Sequence, residues 1–467
     1  MTQSASDRGT VHVVGAGLAG LSAALRLAEA GERVILHEAA NHAGGRCRSY
    51  EDRELGRRID NGNHLLFSAN RAALDFLTAI GSRDSLIEQA EPAFPYLDLA
   101  SGERFTLRPN RGPLPWWVLS RRRRVPGSRA RDYAVLWRLM RAKPCETVAS
   151  LAPDRGPVYR ALVEPLAVAV LNTAPAEGSA WLLGRMLGMS FAKGGRDCRA
   201  LIVREGLSES FIEPALRRLA ALGVEIRFGA RLRNLTIRNG CVEGLQFNAA
   251  SLALGAADRV VLATPAPVAA ALLPNLTVPT EMRAIVNAHY RLKQPFRPAN
   301  GIPFLALLGG TAHWVFFRGD VASVTVSAAD KLADAPAEAL APRLWADVAA
   351  AIGEPGASLP PWRIVKERQA TFAQTPSQVA RRPTAAGSLD NLWLAGDWTD
   401  TGLPATIEGA IRSGVTAAAL VLAASVASGR EPGVATTPAA KSAACIRSPR
   451  PATPAGAAEV RRATASS

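Results

Sequence analysis

Lysine is nearly missing from this chain: it occurs six times among 55 basic residues, so the net charge of +15 rests almost wholly on arginine. Cysteine is also scarce. The five present (Cys47, Cys145, Cys198, Cys241 and Cys445) show neither C-x-x-C pairs nor zinc-like spacing. That argues against a disulfide framework or a metal centre, and for a reducing compartment. The opening residues lack a basic stretch followed by an apolar run, so no secretory leader is expected. The longest uncharged apolar stretch near the end, 415–429, is too short and alanine-rich to span a bilayer. A cytoplasmic location follows as the expectation. No finger, basic zipper or RNP-type aromatic motif accompanies the positive charge, which sets nucleic acid aside as a partner. Anionic lipid, acidic substrates and a genome-wide preference for arginine remain as accounts of it.

At 467 residues and 48% hydrophobic, the chain can bury a core divided between two domains. A strand is expected at 11–14, a helix at 18–30 closed by Gly31, and a second strand at 33–37 ending at Glu38. Connections this short demand a parallel, right-handed crossover. Between strand and helix lies Gly15-Ala16-Gly17-Leu18-Ala19-Gly20, the G-x-G-x-x-G fingerprint in the context it requires. Gly15 allows the tight turn, Gly17 lets the backbone approach a pyrophosphate, and Gly20 lets helix and strand pack closely. The helix N-terminus turns free N–H groups and a positive dipole end toward the phosphates. Glu38 is placed to bind a ribose diol through two acceptor oxygens. These features specify a dinucleotide site.

Residues 76–200 read as helices with proline-rich breaks. Strands are expected at 224–228, 231–237 and 241–247, with Asn239-Gly240 as the hairpin turn between the last two. A core strand follows at 260–263, an α/β insert at 271–385, another core strand at 392–395, and a long helix from about 404. Beyond 428 the composition falls to Ala, Ser, Thr, Pro and Arg, and disorder is expected. The expected fold class is α/β. A Rossmann-type dinucleotide domain with a parallel sheet and a β-meander takes 8–75, 201–270 and 386–427. A discontinuous α+β substrate domain takes 76–200 and 271–385.

Six residues past Glu38 stands Gly44-Gly45-Arg46, and the far end carries Leu394-Ala395-Gly396-Asp397-Trp398 and then Gly402-Leu403-Pro404-Ala405-Thr406-Ile407-Glu408-Gly409-Ala410. Together these resemble the two flavin motifs of the flavin amine-oxidase superfamily. The resemblance implies FAD as cofactor. Gly44 and Gly45 would pass along the phosphates, with Arg46 near the flavin. Asp397 would meet the ribityl or phosphate oxygens, and the helix start at Ala405 and Thr406 would face the flavin edge where reduction develops negative charge. Leu232 would lie against the adenine through its backbone; a plain strand residue is an equal reading there, as a solvent-exposed loop is for 44–46. A single glycine fingerprint leaves no second domain for NAD(P)H, so an external electron donor is expected.

Asp60-Asn61-Gly62-Asn63-His64-Leu65-Leu66, Glu164-Pro165-Leu166 and Leu171-Asn172-Thr173-Ala174-Pro175 narrow the choice. With the C-terminal motif they resemble the hydroxysqualene dehydroxylases of the phytoene-desaturase branch, over residues 10–425. Asn63 departs from a glutamine common in that family but keeps an amide beside the flavin. The resemblance implies reductive removal of an allylic hydroxyl, hydroxysqualene becoming squalene in hopanoid biosynthesis, on a C30 isoprenoid supplied by squalene-synthase-like enzymes. Candidate proton donors are His64, then Asp60, which could instead orient it, then Glu408, which could instead cap the terminal helix. A structural histidine bonded to backbone is the bland alternative for His64. Rival activities are a carotenoid-type desaturase or isomerase and, in another class, a non-catalytic prenyl-lipid escort.

Residues 108–143 hold eleven Arg or Lys against one acid, Asp132, with Leu114, Trp116, Trp117, Leu119 and Trp137 interleaved. Tryptophan beside arginine suits a lipid headgroup boundary. The segment is expected to seat the protein on anionic lipid at the inner face of a bacterial cytoplasmic membrane. A solvated basic loop with inward tryptophans is the alternative.

Overall fold

The computed structural model describes residues 9–153 and 155–427, so the expected disordered tail and Cys445 lie outside the described residues. Five parallel strands form the first sheet, in the order Glu225–Arg227, Arg33–His37, Thr10–Val14, Arg259–Leu262, Leu392–Leu394. Their cores are rich in Val, Ile and Leu because helices and loops cover both faces. The helix Leu18–Glu29 returns the chain from the first strand to the second, and Gly31, at φ +83°, turns it back.

The terminal helix, Ile407–Ala427, lies directly on Leu18–Glu29. Ser22 Oγ donates to the Ile411 carbonyl at 3.0 Å, and a Cβ on Gly414 would sit 2.0 Å from the Ala19 carbonyl oxygen. At 21 residues and mean hydropathy 1.7, this helix is long and apolar enough to cross a membrane. The expected long helix from about 404 begins at Ile407, and it includes Glu408 and Arg412, which pair one turn apart (3.0 Å) ahead of the uncharged stretch. Its packing face, with Ile411, Ala417, Ala418 and Val421 buried, belongs to the core around the parallel sheet.

A three-stranded meander, Leu232–Arg238, Cys241–Phe247 and Ser251–Ala253, packs Leu235, Val242 and Leu245 in one core with Val260, Leu262 and Leu394 of the sheet. Asn239 and Gly240 turn its first hairpin, both with positive φ (+49° and +79°), as a tight right-twisted hairpin requires.

The second layer is a seven-stranded sheet ordered Trp362–Phe372, Met282–Arg291, Val321–Val326, Trp314–Arg318, Phe304–Leu308, Phe94–Asp98, Arg104–Leu107. All neighbours are antiparallel except Phe304–Leu308 beside Phe94–Asp98. The last two strands correct the expectation of helices throughout 76–200. They form a short hairpin, and it joins the sheet through Phe94–Asp98 beside Phe304–Leu308, some two hundred residues downstream, where local pattern cannot reach. Helix Ala337–Ile352 packs Leu344, Trp345 and Val348 on this sheet. Helices Ala134–Met140, Glu164–Leu171 and Ala180–Met189 form a further wall around their own core. Cys47, Cys145, Cys198 and Cys241 are free thiols.

Candidate active site

One cavity of about 790 Å³ runs between the two sheets, and segments from both chain ends line it. At one end stand Gly15, Gly17, Glu38, Gly45, Arg231 and Leu232; Gly396, Asp397, Ala405 and Thr406 flank its middle; Phe94, Leu107, Leu162, Leu166, Met186 and Phe191 wall the other end.

The glycine turn is built as its sequence demands. Gly15 has φ +109°, its N–H donates to the His37 carbonyl at 2.7 Å, and a Cβ there would meet the Ala263 oxygen at 2.5 Å. A Cβ on Gly20 would sit 1.8 Å from the Gly15 oxygen, so helix and turn touch backbone to backbone. Gly17 differs: nothing lies within 4 Å of where its Cβ would be. That space opens on the helix N-terminus and suits a pyrophosphate. Across it, Gly44 pairs with Gly17 as a parallel bridge, its N–H donating to the Ala16 carbonyl at 2.8 Å. A Cβ on Gly45 would lie 3.6 Å from the Gly17 Cα. The segment 44–46 is therefore a cavity wall and not a solvent loop. Leu18 and Ala19, in the first turn of the helix, line this end, while Ala16 is buried and does not line the cavity.

Glu38 reaches the cavity, but each carboxylate oxygen already accepts a backbone N–H, Oε2 from Ala16 (2.7 Å) and Oε1 from Ala40 (2.8 Å). These bonds fix the group and leave further lone pairs for a ribose diol. Leu232 is a buried strand residue on the same wall.

Arg46 and Asp397 join the two ends of the chain. Arg46 Nη2 donates to both Asp397 oxygens at 2.8 Å, and Arg46 Nη1 donates to the Ala370 carbonyl. The carboxylate holds the guanidinium pKa above its usual value, outweighing burial. The loop that follows is held by two residues that sequence reading missed. Gln374 Oε1 accepts the Ala405 N–H at 2.9 Å, and Arg382, itself buried, donates to the carbonyls of Leu403 (2.8 Å), Asp397 (3.3 Å) and Thr399 and to Thr401 Oγ1 (3.1 Å). Burial lowers the Arg382 pKa to about 10, which leaves it charged. Thr406 Oγ1 accepts the Gly409 N–H at 3.2 Å and so caps the terminal helix beside the cavity. Neither Gln374 nor Arg382 sits in a recognisable motif. A buried-pattern Gln or Arg just upstream of the Gly396-Asp397 turn was the available signal.

Among the proposed proton donors the structure separates three environments. His64 lines the cavity and is exposed to its interior, with no hydrogen-bond partner among the described residues. Desolvation, with Arg46 adding to it and Asp60 opposing, lowers its pKa to about 4. The ring is thus neutral at neutral pH, where the sequence reading expected titration. Asp60 does not line the cavity: Oδ1 accepts Ser49 Oγ (2.6 Å) and the Leu207 N–H (3.0 Å), and Oδ2 accepts Arg318 Nη1 (2.7 Å). It makes no hydrogen bond to His64. Glu408, 2% exposed, accepts the backbone N–H groups of Ala72 (3.2 Å) and Ala73 (2.9 Å) and pairs with Arg412. It caps the helix Arg71–Ala79, not its own helix.

Asn63 begins a polar chain absent from the sequence reading. Asn63 Nδ2 donates to Thr325 Oγ1 (3.0 Å), which donates to Asn287 Oδ1 (2.9 Å); Asn287 Nδ2 donates to the Asn61 carbonyl (3.2 Å). Asn61 Nδ2 in turn donates to Glu367 Oε2 at 3.3 Å. Of the four carboxylates on the cavity wall, Glu38, Glu367, Asp397 and Glu408, Glu367 is the least committed. No cluster of metal-ligating side chains occurs among the described residues.

Residues 18–422 match the family described as flavin containing amine oxidoreductase. The chain is 48% identical over 417 residues to the hydroxysqualene dehydroxylase of Rhodopseudomonas palustris, covering 89% of this chain and 99% of that one. It is 44% identical over 412 residues to the hydroxysqualene dehydroxylase of Zymomonas mobilis (88% and 98% covered). Among solved structures, wild-type putrescine oxidase bound to putrescine superposes with TM-score 0.65 at 17% identity (89% and 99% covered). Cyclohexylamine oxidase from Brevibacterium oxydans gives 0.64 at 17% (90% and 100%). At that identity these structures speak for the fold alone, which is the flavoprotein oxidase fold.

Proposed function

The chain belongs to the flavin containing amine oxidoreductase family and is an FAD-dependent oxidoreductase, and within that family we propose that it removes the allylic hydroxyl of hydroxysqualene to give squalene. The observation that carries this reading is near-full-length identity of 44–48% to relatives named for that reaction. The cavity supports it: a glycine-lined polar end suits the dinucleotide, and an aromatic and aliphatic end suits a C30 hydrocarbon. Matches to a zeta-carotene desaturase span 16% of this chain, so the desaturase alternative rests on a short segment. The escort alternative is weakened by the intact Arg46–Asp397 link between both cofactor motifs.

Reduced FAD, when bound, supplies the hydride. Hydroxysqualene, a hydride and a proton then balance to squalene and water. The chain's own part is to place, dry and protonate. Phe94, Leu162, Leu166 and Met186 exclude water from the apolar end, which favours hydride capture of a developing allylic cation over hydration. Proton relay from solvent to the departing oxygen falls to Glu367, the least-held carboxylate on the wall, while neutral His64 and Asn63, fixed by Thr325, are placed to hold that oxygen by hydrogen bonds. Asp60 and Glu408 act through other residues, Asp60 by anchoring the Ser49–Leu207 corner and Glu408 by capping a helix. We assign cofactor binding to 8–75, 201–270 and 386–427 and the substrate to 76–200 and 271–385, a division supported by the presence of two separate sheets. The enzyme would work at the cytoplasmic face of the membrane, on substrate from squalene-synthase-like enzymes, with an external electron donor.

Anaerobic, chemically reduced holoenzyme incubated with hydroxysqualene tests the reading. Squalene formed in step with flavin reoxidation, seen by mass spectrometry and absorbance, is the expected result. Unchanged hydroxysqualene, with phytoene desaturated by the oxidised enzyme instead, would overturn it.

A further inference from the structure

Most apolar surface of this protein is covered, but one face is not. Leu114 (76% exposed), Leu119 (71%), Trp137 (54%) and Trp116 (51%) stand out from the segment 108–143, the same stretch that carries eleven basic residues and one acid. We propose that this face is a docking surface for an anionic lipid bilayer, which seats the substrate chamber against the membrane. The inference rests on the lipid-substrate reading above and names the partner of that site.

Three observations carry it. First, the apolar side chains are presented by an ordered platform. Buried Asn110 donates to the carbonyls of Gly112 and Leu114, both at 2.9 Å, and accepts the Trp117 N–H at 3.3 Å. Trp117 turns inward against Tyr133 (rings 5.0 Å apart, edge to face), whose hydroxyl accepts the Val125 N–H at 2.8 Å. One tryptophan therefore anchors the loop while its neighbour Trp116 stays outside, so the inward-tryptophan alternative accounts for Trp117 alone. A solvated loop gains nothing from holding two leucines and two tryptophans in water.

Second, charge accompanies the apolar groups at contact distance. The Arg123 guanidinium lies 4.8 Å from the Trp116 ring centroid, and that of Arg141 lies 3.8 Å from Trp137. Arg121 and Arg122 are exposed and have no acidic partner among the described residues. Tryptophan and arginine stacked at one surface match the headgroup layer, where the ring sits at the apolar boundary and the guanidinium meets phosphate.

Third, the face is continuous with the chamber. Helix Ala134–Met140, which carries Trp137, meets helix Ala180–Met189 backbone to backbone: a Cβ on Gly184 would lie 2.0 Å from the Leu139 carbonyl oxygen. The second helix supplies Met186 and Met189 to the cavity wall. A bilayer against the face is thus one helix away from the apolar end.

Flotation of the FAD-loaded enzyme with phosphatidylcholine vesicles, with and without roughly one-third phosphatidylglycerol, tests this. Binding is expected with the anionic vesicles and falls with salt. Arg121→Gln with Arg122→Gln should weaken it by about thirtyfold, at ~1 kcal/mol per basic residue near an anionic surface. Leu114→Ser with Leu119→Ser should weaken it by about tenfold or more. Both pairs are exposed and lie outside the cavity, so turnover of detergent-dispersed hydroxysqualene should be unchanged while turnover from vesicles falls. Equal flotation with neutral and anionic vesicles, or no effect of either pair, would overturn the proposal; so would tighter, variant-sensitive binding to RNA than to vesicles. Loss of detergent-phase turnover in the unaltered enzyme would instead count against the assigned reaction and leave the flotation result standing.

Discussion

Replacing Glu408 by Gln separates a structural carboxylate from a catalytic one. Glu408 is 2% exposed and accepts from Ala72 N, Ala73 N and Arg412 Nη2 at 3.2, 2.9 and 3.0 Å. Gln keeps one acceptor oxygen and loses the charge. The loss combines one hydrogen bond to a charged group, about 1.5–3 kcal/mol, with the favourable field at the start of the helix Arg71–Ala79, up to ~2 kcal/mol. Arg412 is partly exposed, so its share is screened. We expect about 2–3 kcal/mol of destabilisation and a melting temperature lower by roughly 4 °C for a chain of this size. Glu408→Ala leaves two buried N–H groups and Arg412 unmatched and should cost more, about 4 kcal/mol. If capping is the role, flavin reoxidation by hydroxysqualene in single turnover should stay within about twofold per bound flavin for Glu408→Gln. The assay pair is thermal melting of the holoenzyme and stopped-flow flavin absorbance. An unshifted melt with reoxidation slowed about a hundredfold would refute the capping argument and return Glu408 to the chemistry.

The remaining predictions concern the cofactor and the histidines. Asp397→Asn removes the bidentate partner of Arg46 and should weaken FAD retention by about tenfold, measured by flavin fluorescence after gel filtration, since half-exposed Arg46 limits the loss to about 1–2 kcal/mol; full retention would sink the linkage. Gly17→Ala and Gly20→Ala should part company: the first fills open space and yields folded, flavin-poor protein, while the second meets the Gly15 oxygen at 1.8 Å and yields little folded protein. Equal folding and equal flavin content in the two would contradict the geometry. Burial depresses the pKa of His37 to about 3 and of His289 to about 4. The unfolded chain, titrating near 6.5, then binds more protons, so their stability is complete above that value and is lost as pH falls toward the folded values, at up to ~1.4 kcal/mol per unit for each ring. The melting temperature should therefore drop from about pH 7 to about pH 5, less steeply in His289→Asn, and a flat profile would refute it.

Local features were legible where backbone chemistry alone dictates them. Gly15, Gly17 and Gly20 announce a turn because three different steric demands recur at fixed offsets, and Asn239-Gly240 announces a hairpin because both residues need positive φ. The residues that failed the sequence reading fail for one reason: their partners are distant. Asp60 looked available, yet Leu207 and Arg318 claim its oxygens from 147 and 258 residues away. Glu408 looked like the cap of its own helix, and instead reaches back 335 residues to Ala73. His64 looked titratable, but burial in a cavity lined by distant segments lowers its pKa. Phe94–Asp98 and its hairpin partner Arg104–Leu107 are short, and they join the sheet through Phe304–Leu308, some two hundred residues downstream.

The order of the parallel sheet explains why the two flavin motifs sit at opposite ends of the chain. The strand Leu392–Leu394 pairs with Arg259–Leu262, which pairs with Thr10–Val14, so the last strand has no edge to join until the middle one is in place. Only then do Arg46 and Asp397 meet and the Gly396 N–H reach Ser413 Oγ at 2.8 Å. The cavity wall is therefore complete only in the fully assembled sheet, and a ligand spanning Gly17 to Thr406 touches both ends at once. Such a ligand binds the folded form and not the unfolded one, adding about 2.7 kcal/mol when present at a hundred times its dissociation constant. Cofactor and sheet closure are thus one equilibrium, and weakening either the glycine turn or the Arg46–Asp397 pair loosens the other.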